Sequence, residues 1–152
     1  MTLHRRTAVA FIIAALLLPW IHDIASAQAL ERFSGTLSCT KSSFVPAAHR
    51  EPVTAELTSN VLRYRHTVLD EDGTAGMGVE TGEGPVARDG HVTLTGAWKS
   101  QAAGYAYEAR YAGTVGPKGG ELSGHQAWTI HGRRAERSCR MTLSRTARGL
   151  LR

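Results

Sequence analysis

Long apolar runs are scarce in this chain of 152 residues. The longest, Ala8–Leu18, has eleven residues, whereas a helix needs about 20 to span a membrane. No later stretch shows the spacing of an amphipathic helix. The sequence therefore argues against a helical membrane protein and leaves β-structure as the main architecture.

Motifs that commonly carry catalysis or hold a cofactor are also absent. There is no Gly-x-Ser-x-Gly turn, and the glycine-rich stretch Thr74–Gly84 lacks the Gly-Lys-[Ser/Thr] ending of a phosphate-binding loop. Two histidines on one strand face, His125 and His131, are separated by about 20 Å of extended chain, which is too far to share an ion. We expect no metal, no cofactor and no enzyme, although a metal site assembled from distant strands stays open.

The first residues have the layout of a secretory signal peptide. Basic residues precede the apolar run, Pro19 ends it, and Ala25-Ser26-Ala27 is a small-x-small cleavage site. We predict a leader over residues 1–27, with an uncleaved anchor as the alternative. The remaining protein would be periplasmic or secreted, and export argues against a nucleic-acid partner.

Only two cysteines are present, Cys39 and Cys139, one near each end of the exported part. In an oxidising compartment two cysteines most simply form one disulfide, and two free buried thiols are the alternative. A bridge requires Cα atoms within about 7 Å, so the first and last strands should be neighbours.

Acidic residues are nearly missing from the last twenty positions, where seven arginines are offset only by Glu136. Such a basic end suits an anionic surface or an envelope protein, although a solvated strand face with a loose terminus explains it too. The arginines proposed for this contact are Arg133, Arg134, Arg145, Arg148 and Arg152. We assign residues 145–152 to a basic tail.

Period-2 alternation is the strongest pattern in the sequence. Tyr105–Val115 and Glu121–Ile130 alternate on either side of a Gly/Pro loop and predict a long β-hairpin with one dry face. Shorter alternating stretches predict the other strands, and Thr40–Pro52 is predicted to be a loop. These stretches are Arg32–Cys39, Val53–Thr58, Val61–Leu69, Thr74–Gly84, His91–Trp98 and Arg134–Ser144.

Together these elements predict an all-β domain over residues 28–144. The expected fold is an antiparallel, closed or nearly closed up-and-down barrel of about eight strands. Charges on the alternate face and strands of six to eleven residues favour a soluble barrel with a dry core over an outer-membrane barrel.

The predicted inner face is rich in aromatic residues. A packed core explains this pattern, and a pocket for an apolar or aromatic ligand at the barrel mouth is the functional alternative. The candidate ligand-binding residues are Tyr64, Trp98, Tyr107, Gln126 and Trp128. His66 shares the inner face with Tyr64 and is expected to be a satisfied interior histidine.

Several runs carry a resemblance to known proteins. Phe-Ser-Gly-Thr-Leu-Ser-Cys near the start, Gly-His-Val-Thr-Leu-Thr-Gly-Ala-Trp, and the late Gly-His-Gln-Ala-Trp and Arg-Ser-Cys resemble a family of small secreted bacterial β-proteins with no assigned activity. The resemblance spans most of Phe33–Leu143 and implies no catalytic residue. A looser similarity links the tyrosine/glycine strand to avidin-like barrels, but their Gly-x-Trp-x-Asn opening is absent, which argues against biotin binding.

These observations favour an exported, non-catalytic binding module for a small apolar or aromatic ligand. The alternative is a secreted inhibitor or structural protein that acts on an envelope partner through an exposed loop or the basic surface.

Overall fold

A computed structural model describes residues 30–69, 76–100 and 104–146. These residues form a closed antiparallel barrel in which each strand pairs with the next along the chain and the last pairs with the first. The predicted all-β up-and-down barrel is confirmed. Its strands are β1 (Glu31–Cys39), β2 (His49–Thr58), β3 (Val61–Leu69), β4 (Gly76–Pro85), β5 (His91–Lys99), β6 (Tyr105–Gly116), β7 (Gly119–Ile130) and β8 (Arg133–Arg145).

The hairpin of β6 and β7 is paired along its whole length. Its register runs from Tyr105 opposite Ile130 to Gly116 opposite Gly119, without a shift. Tyr107 and Trp128 point inward and are buried, whereas the outward residues between them are mostly exposed. Strict alternation over so many positions fixes the register, because a slip of one residue would turn every side chain to the other face.

Closure of the barrel joins β1 to β8. Seven residue pairs connect these strands, and Cys39 lies directly opposite Cys139. The two cysteines form a disulfide with a Cα–Cα distance of 4.1 Å. The predicted bridge and the predicted contact between terminal strands are both confirmed.

One strand boundary differs from the prediction. Residues 40–52 were expected to be a loop, but β2 begins at His49 and includes Glu51 and Pro52. This first part of β2 pairs only with β1, since the pairing with β3 starts at Val53. A strand segment with one free side tolerates proline, which has no N–H to donate.

The narrowest seam of the barrel lies between β4 and β5, where only three residue pairs form. At its centre Gly82 lies opposite Gly96, and the ring of Tyr64 packs against both. A Cβ added at either glycine would overlap an atom of Tyr64. The glycines therefore make space for this inward tyrosine.

The predicted leader, the acidic turn over residues 70–73 and residues 147–152 of the basic tail lie outside the described residues. The barrel itself extends through Arg145, one residue beyond the predicted boundary, and Thr146 hydrogen-bonds to Arg32. Among residues 30–69, 76–100 and 104–146, no helix is long and apolar enough to cross a membrane.

Candidate ligand-binding site at the barrel mouth

A buried carboxylate lies at the centre of the barrel interior. Glu80 on β4 has no exposed surface and accepts hydrogen bonds from four side chains on β3, β6 and β7. The four donors are the Tyr64 hydroxyl, Tyr107 Oη at 2.5 Å, His66 Nε2 at 2.5 Å and Gln126 Nε2 at 3.2 Å. A carboxylate so buried is stable only because its oxygens are saturated with donors.

His66 connects this carboxylate to a second one. Its Nε2 binds Glu80, while its Nδ1 lies 3.0 Å from the carbonyl oxygen of Thr67 and 2.8 Å from Glu51 Oε2. The Glu51 oxygen has the shorter distance but makes no well-directed hydrogen bond, so this contact is an ion pair and the Thr67 carbonyl takes the Nδ1 hydrogen.

Burial lowers the pKa of His66, but Glu51 and Glu80 outweigh it and raise that pKa to about 9. The imidazole is therefore positively charged at neutral pH.

Two tyrosines that serve the carboxylate keep their protons. Burial, reinforced by the charge of Glu80, raises the pKa of Tyr64 and of Tyr107 far above the ordinary value for a phenol. Both hydroxyls therefore remain protonated hydrogen-bond donors at neutral pH.

A second polar group lies above Glu80, nearer the end of the barrel. Arg137 Nε donates to Gln126 Oε1 at 2.7 Å, and Trp128 Nε1 donates to the same oxygen at 3.3 Å. The guanidinium lies 5.2 Å from the ring centre of Trp128, within the range of a cation–π contact. Burial lowers the pKa of Arg137, an effect that the charge of Glu51 partly offsets, yet a guanidinium stays protonated in proteins.

A pocket of about 300 Å³ opens over this group at the end of the barrel. Its walls are apolar and its floor is polar. The apolar lining residues are Phe44, Val45, Leu69, Met77, Tyr105 and Ile130, and the floor is formed by His49, Glu51, Trp128 and Arg137. We call this cavity the mouth pocket. Its volume lies at the lower end of the range for small-molecule sites, and apolar walls with a few polar groups are typical of such sites.

Several polar atoms on the floor of the mouth pocket make no hydrogen bond within the described residues. His49 Nε2 and Glu51 Oε2 are buried side-chain atoms without a hydrogen bond. The Nη atoms of Arg137 make no hydrogen bond to any residue that the structure describes. Most buried polar groups in proteins are satisfied, so an accumulation of such atoms leaves hydrogen-bonding capacity on this pocket floor.

All five predicted site residues lie in one buried cluster. The ring centres of Tyr107 and Trp128 are 4.4 Å apart, those of Trp98 and Trp128 are 6.0 Å apart, and Tyr64 and Gln126 meet at Glu80. Of the five, Trp128 alone lines the mouth pocket. The other four lie beneath it and support its floor.

Three central residues were missed from the sequence. Neither Glu80 nor Arg137 belongs to a motif or an expected site in the sequence, and Glu51 falls within the predicted loop Thr40–Pro52. The signal that reveals Glu80 is the group of inward tyrosines, whose hydroxyls require a buried acceptor.

A larger depression of about 1120 Å³ lies elsewhere, along the outer faces of β1 to β6. Part of its charged lining is paired, because Arg32 pairs with Glu56 and Arg63 pairs with Glu83. We prefer the smaller mouth pocket as the functional site, since it contains the unpartnered buried atoms.

The predicted basic surface is only partly described. Arg133 lies with its guanidinium 5.6 Å from the ring centre of Phe44, Arg134 is exposed, and Arg145 Nη2 lies 3.4 Å from Glu31 Oε1. Arg148 and Arg152 fall outside the described residues.

The chain matches no protein-family model, and no curated protein is significantly similar to it.

Proposed function

We propose that this protein is a non-catalytic binding module that holds a small, largely apolar or aromatic ligand in the mouth pocket. The observation that carries the proposal is the pocket itself, with apolar walls above a floor that includes buried polar atoms without a hydrogen bond. Apolar walls supply affinity through burial, and the few polar atoms fix the orientation of the ligand.

The engagement of the interior groups supports a non-catalytic role. Glu80 already accepts four hydrogen bonds, and both ring nitrogens of His66 face carboxylate or carbonyl oxygens. A general acid or base must reach a reacting atom directly or through one water, and neither of these two groups has a free position for that. The network instead holds the floor of the pocket rigid.

We further propose that the protein is exported to the periplasm or secreted. The disulfide of Cys39 and Cys139 is the structural feature that supports export, because such bridges persist in oxidising compartments. The leader layout of residues 1–27 supports it from the sequence.

The binding proposal is tested with a panel of small apolar and aromatic compounds. A ligand that binds only the folded protein raises its melting temperature, and one seated on Trp128 also changes tryptophan emission. We expect Ile130→Trp to abolish both effects by filling the pocket. Thr129→Trp is the matched control and should bind normally, because residue 129 is next to Ile130 on β7 but faces the outside of the barrel.

Equal binding by the Ile130→Trp variant, or a panel without any effect on melting temperature, would overturn the proposal.

An inhibitor or structural role on an envelope partner remains the alternative proposal. One observation favours it: Arg133 lies against Phe44, so the basic strand β8 and the segment before β2 share a surface. That role predicts salt-sensitive binding to envelope proteins that is lost in Arg133→Gln/Arg134→Gln and kept in Ile130→Trp. The mouth-pocket proposal predicts the reverse pattern for its ligand.

A further inference from the structure

Arg137 is a buried cation without a carboxylate partner. Its residue is 5% exposed, and no carboxylate of the described residues lies within ion-pair distance of its guanidinium. The single hydrogen bond from Nε goes to a neutral amide oxygen of Gln126. A charge removed from water is costly unless it is paired, so this guanidinium calls for a counter-ion.

The two interior carboxylates are already paired with another cation. Glu80 Oε2 lies 2.5 Å from His66 Nε2, and Glu51 Oε2 lies 2.8 Å from His66 Nδ1. His66 thus stands between both acids, and neither is in contact with Arg137. The interior therefore offers one guanidinium whose Nη donors face the mouth pocket without an acceptor from the described residues.

We propose that the ligand of the mouth pocket is a small monocarboxylate with an aromatic or apolar body, and that its carboxylate binds the Nη donors of Arg137. This inference rests on the proposed binding function and adds the chemical class of the ligand. The planar guanidinium fork matches a carboxylate with two parallel hydrogen bonds.

The floor of the pocket favours a single negative charge. Glu51 lines the same floor, and its carboxylate would repel a dianion such as a phosphate monoester. His49 Nε2, buried and without a hydrogen bond, adds a polar atom to the same pocket floor. Apolar walls from Phe44, Val45 and Ile130 exclude a fully hydrated inorganic anion and suit a hydrocarbon body.

The pocket volume sets the size of the ligand. A cavity of about 300 Å³ has room for about ten water molecules at their share of liquid volume. Phenylacetate and indole-3-acetate are probes of suitable size, and each has a neutral amide of nearly the same shape. Comparing each acid with its amide separates the contribution of the negative charge to binding from the contribution of the apolar body.

Calorimetric titration of the protein with each acid and each amide tests the inference. We expect both acids to bind at least about tenfold more tightly than their amides, because a hydrogen bond to a charged partner is stronger than a neutral one. Amides that bind as tightly as the acids would overturn the carboxylate assignment and keep the proposed function. No binding by any of the four probes would count against both.

Variants at Arg137 assign the charge to this residue. Arg137→Met should remove the preference for acid over amide, whereas Arg137→Lys should keep part of it. Arg134→Met, which removes an exposed arginine from the same strand, is the matched control and should keep the full preference. A preference that survives Arg137→Met, or that disappears equally in Arg134→Met, would overturn the inference. The comparison of acid with amide in the unmodified protein remains decisive if Arg137→Met fails to fold.

The acidic residues between two pocket-lining positions provide a further test. Asp70, Glu71 and Asp72 follow Leu69 in the sequence and precede Met77. Asp70→Asn/Glu71→Gln/Asp72→Asn should bind the acids no more than about threefold more tightly than the unmodified chain, because salt screens the repulsion that the three lost charges exert. Acid binding that appears only in this triple variant would show that the chain neutralises Arg137 itself and would overturn the inference.

Discussion

Glu80 shows how a single residue can organise the interior of a barrel. Four donors from three other strands converge on its carboxylate, and each of them lies at least fourteen positions away in sequence. Removing one partner from a buried ion pair leaves the other uncompensated. The residue therefore fixes the relative positions of β3, β4, β6 and β7.

Glu80→Gln should lower the free energy of unfolding by about 3–5 kcal/mol. The charged His66 loses its buried partner, and the new side-chain NH2 group faces other hydrogen-bond donors instead of an acceptor. Urea titration followed by circular dichroism measures the loss. Glu83→Gln is the matched control, since Glu83 pairs with Arg63 on the exposed face and should cost only about 0–1 kcal/mol. Equal losses for the two variants would contradict the central role of Glu80.

His66 makes stability depend on pH on the alkaline side. Its pKa is about 9 in the folded protein against 6.5 for an ordinary histidine. A raised folded pKa means that the stabilisation is complete below about pH 6.5 and is lost as pH rises to about 9. We expect the free energy of unfolding to fall by about 3 kcal/mol across this window. Urea midpoints at closely spaced pH values measure the decline.

Two histidine variants assign this decline to one residue. His66→Gln should abolish it, while His125→Gln, which changes an exposed histidine on β7, should leave it unchanged. A decline of the same size in the His66→Gln protein would mean that other groups cause it.

At the scale of the element, the seam between β4 and β5 depends on glycine. A Cβ at Gly96 would overlap the hydroxyl of Tyr64 and approach Glu80 Oε1 to 2.9 Å. Gly96→Ala should therefore lower stability by about 1–3 kcal/mol, as overpacking does. Thermal unfolding measures the change, and Thr95→Ala, on the exposed face of the same strand, is the control. A neutral Gly96→Ala would show that Tyr64 has room to move.

The same elements show what sequence can and cannot predict. The hairpin of β6 and β7 could be predicted because its large apolar residues alternate with polar or small ones over more than ten positions and face inward. In β4 the pattern is inverted, since Met77 and Val79 are exposed while Glu80 is buried. The alternation of apolar residues therefore predicts the wrong buried face for β4. The correct face depends on tyrosines of β3 and β6, which only the closed barrel brings near.

The start of β2 was missed for a related reason. Pro46 and Pro52 signal a loop, and the signal is right for the residues before His49. Pro52 is accepted in the strand because that part of β2 has only one neighbour, which is a property of the finished sheet. The mouth pocket could not be located from sequence because Glu51 and His49 belong to this segment. The aromatic residues beneath it were found because they lie in strictly alternating strands.

At the scale of the whole molecule, closure of the barrel makes the polar interior possible. A closed sheet has no open edge through which water reaches the centre, so Glu80 and Gln126 remain without exposed surface. His66 lies between the carboxylates of Glu51 and Glu80 within the same interior. Opening any seam would admit water to this group, so the closing contact between β1 and β8 should control the stability of the entire fold.

The disulfide joins β1 to β8 at that closing contact. Cys39 and Cys139 are separated by 100 residues and lie opposite each other in the register of β1 and β8. Cross-linking so long a loop restricts the unfolded chain and is worth about 4–5 kcal/mol by the chain-entropy argument. Cys39→Ala/Cys139→Ala should lose about that amount and show a steeper dependence on urea, because its unfolded state exposes more surface. Reduction of the unmodified protein should reproduce both effects, whereas the reducing agent should not change the double variant. A loss below about 1 kcal/mol would show that the hydrogen bonds between β1 and β8 close the barrel without help from the bridge.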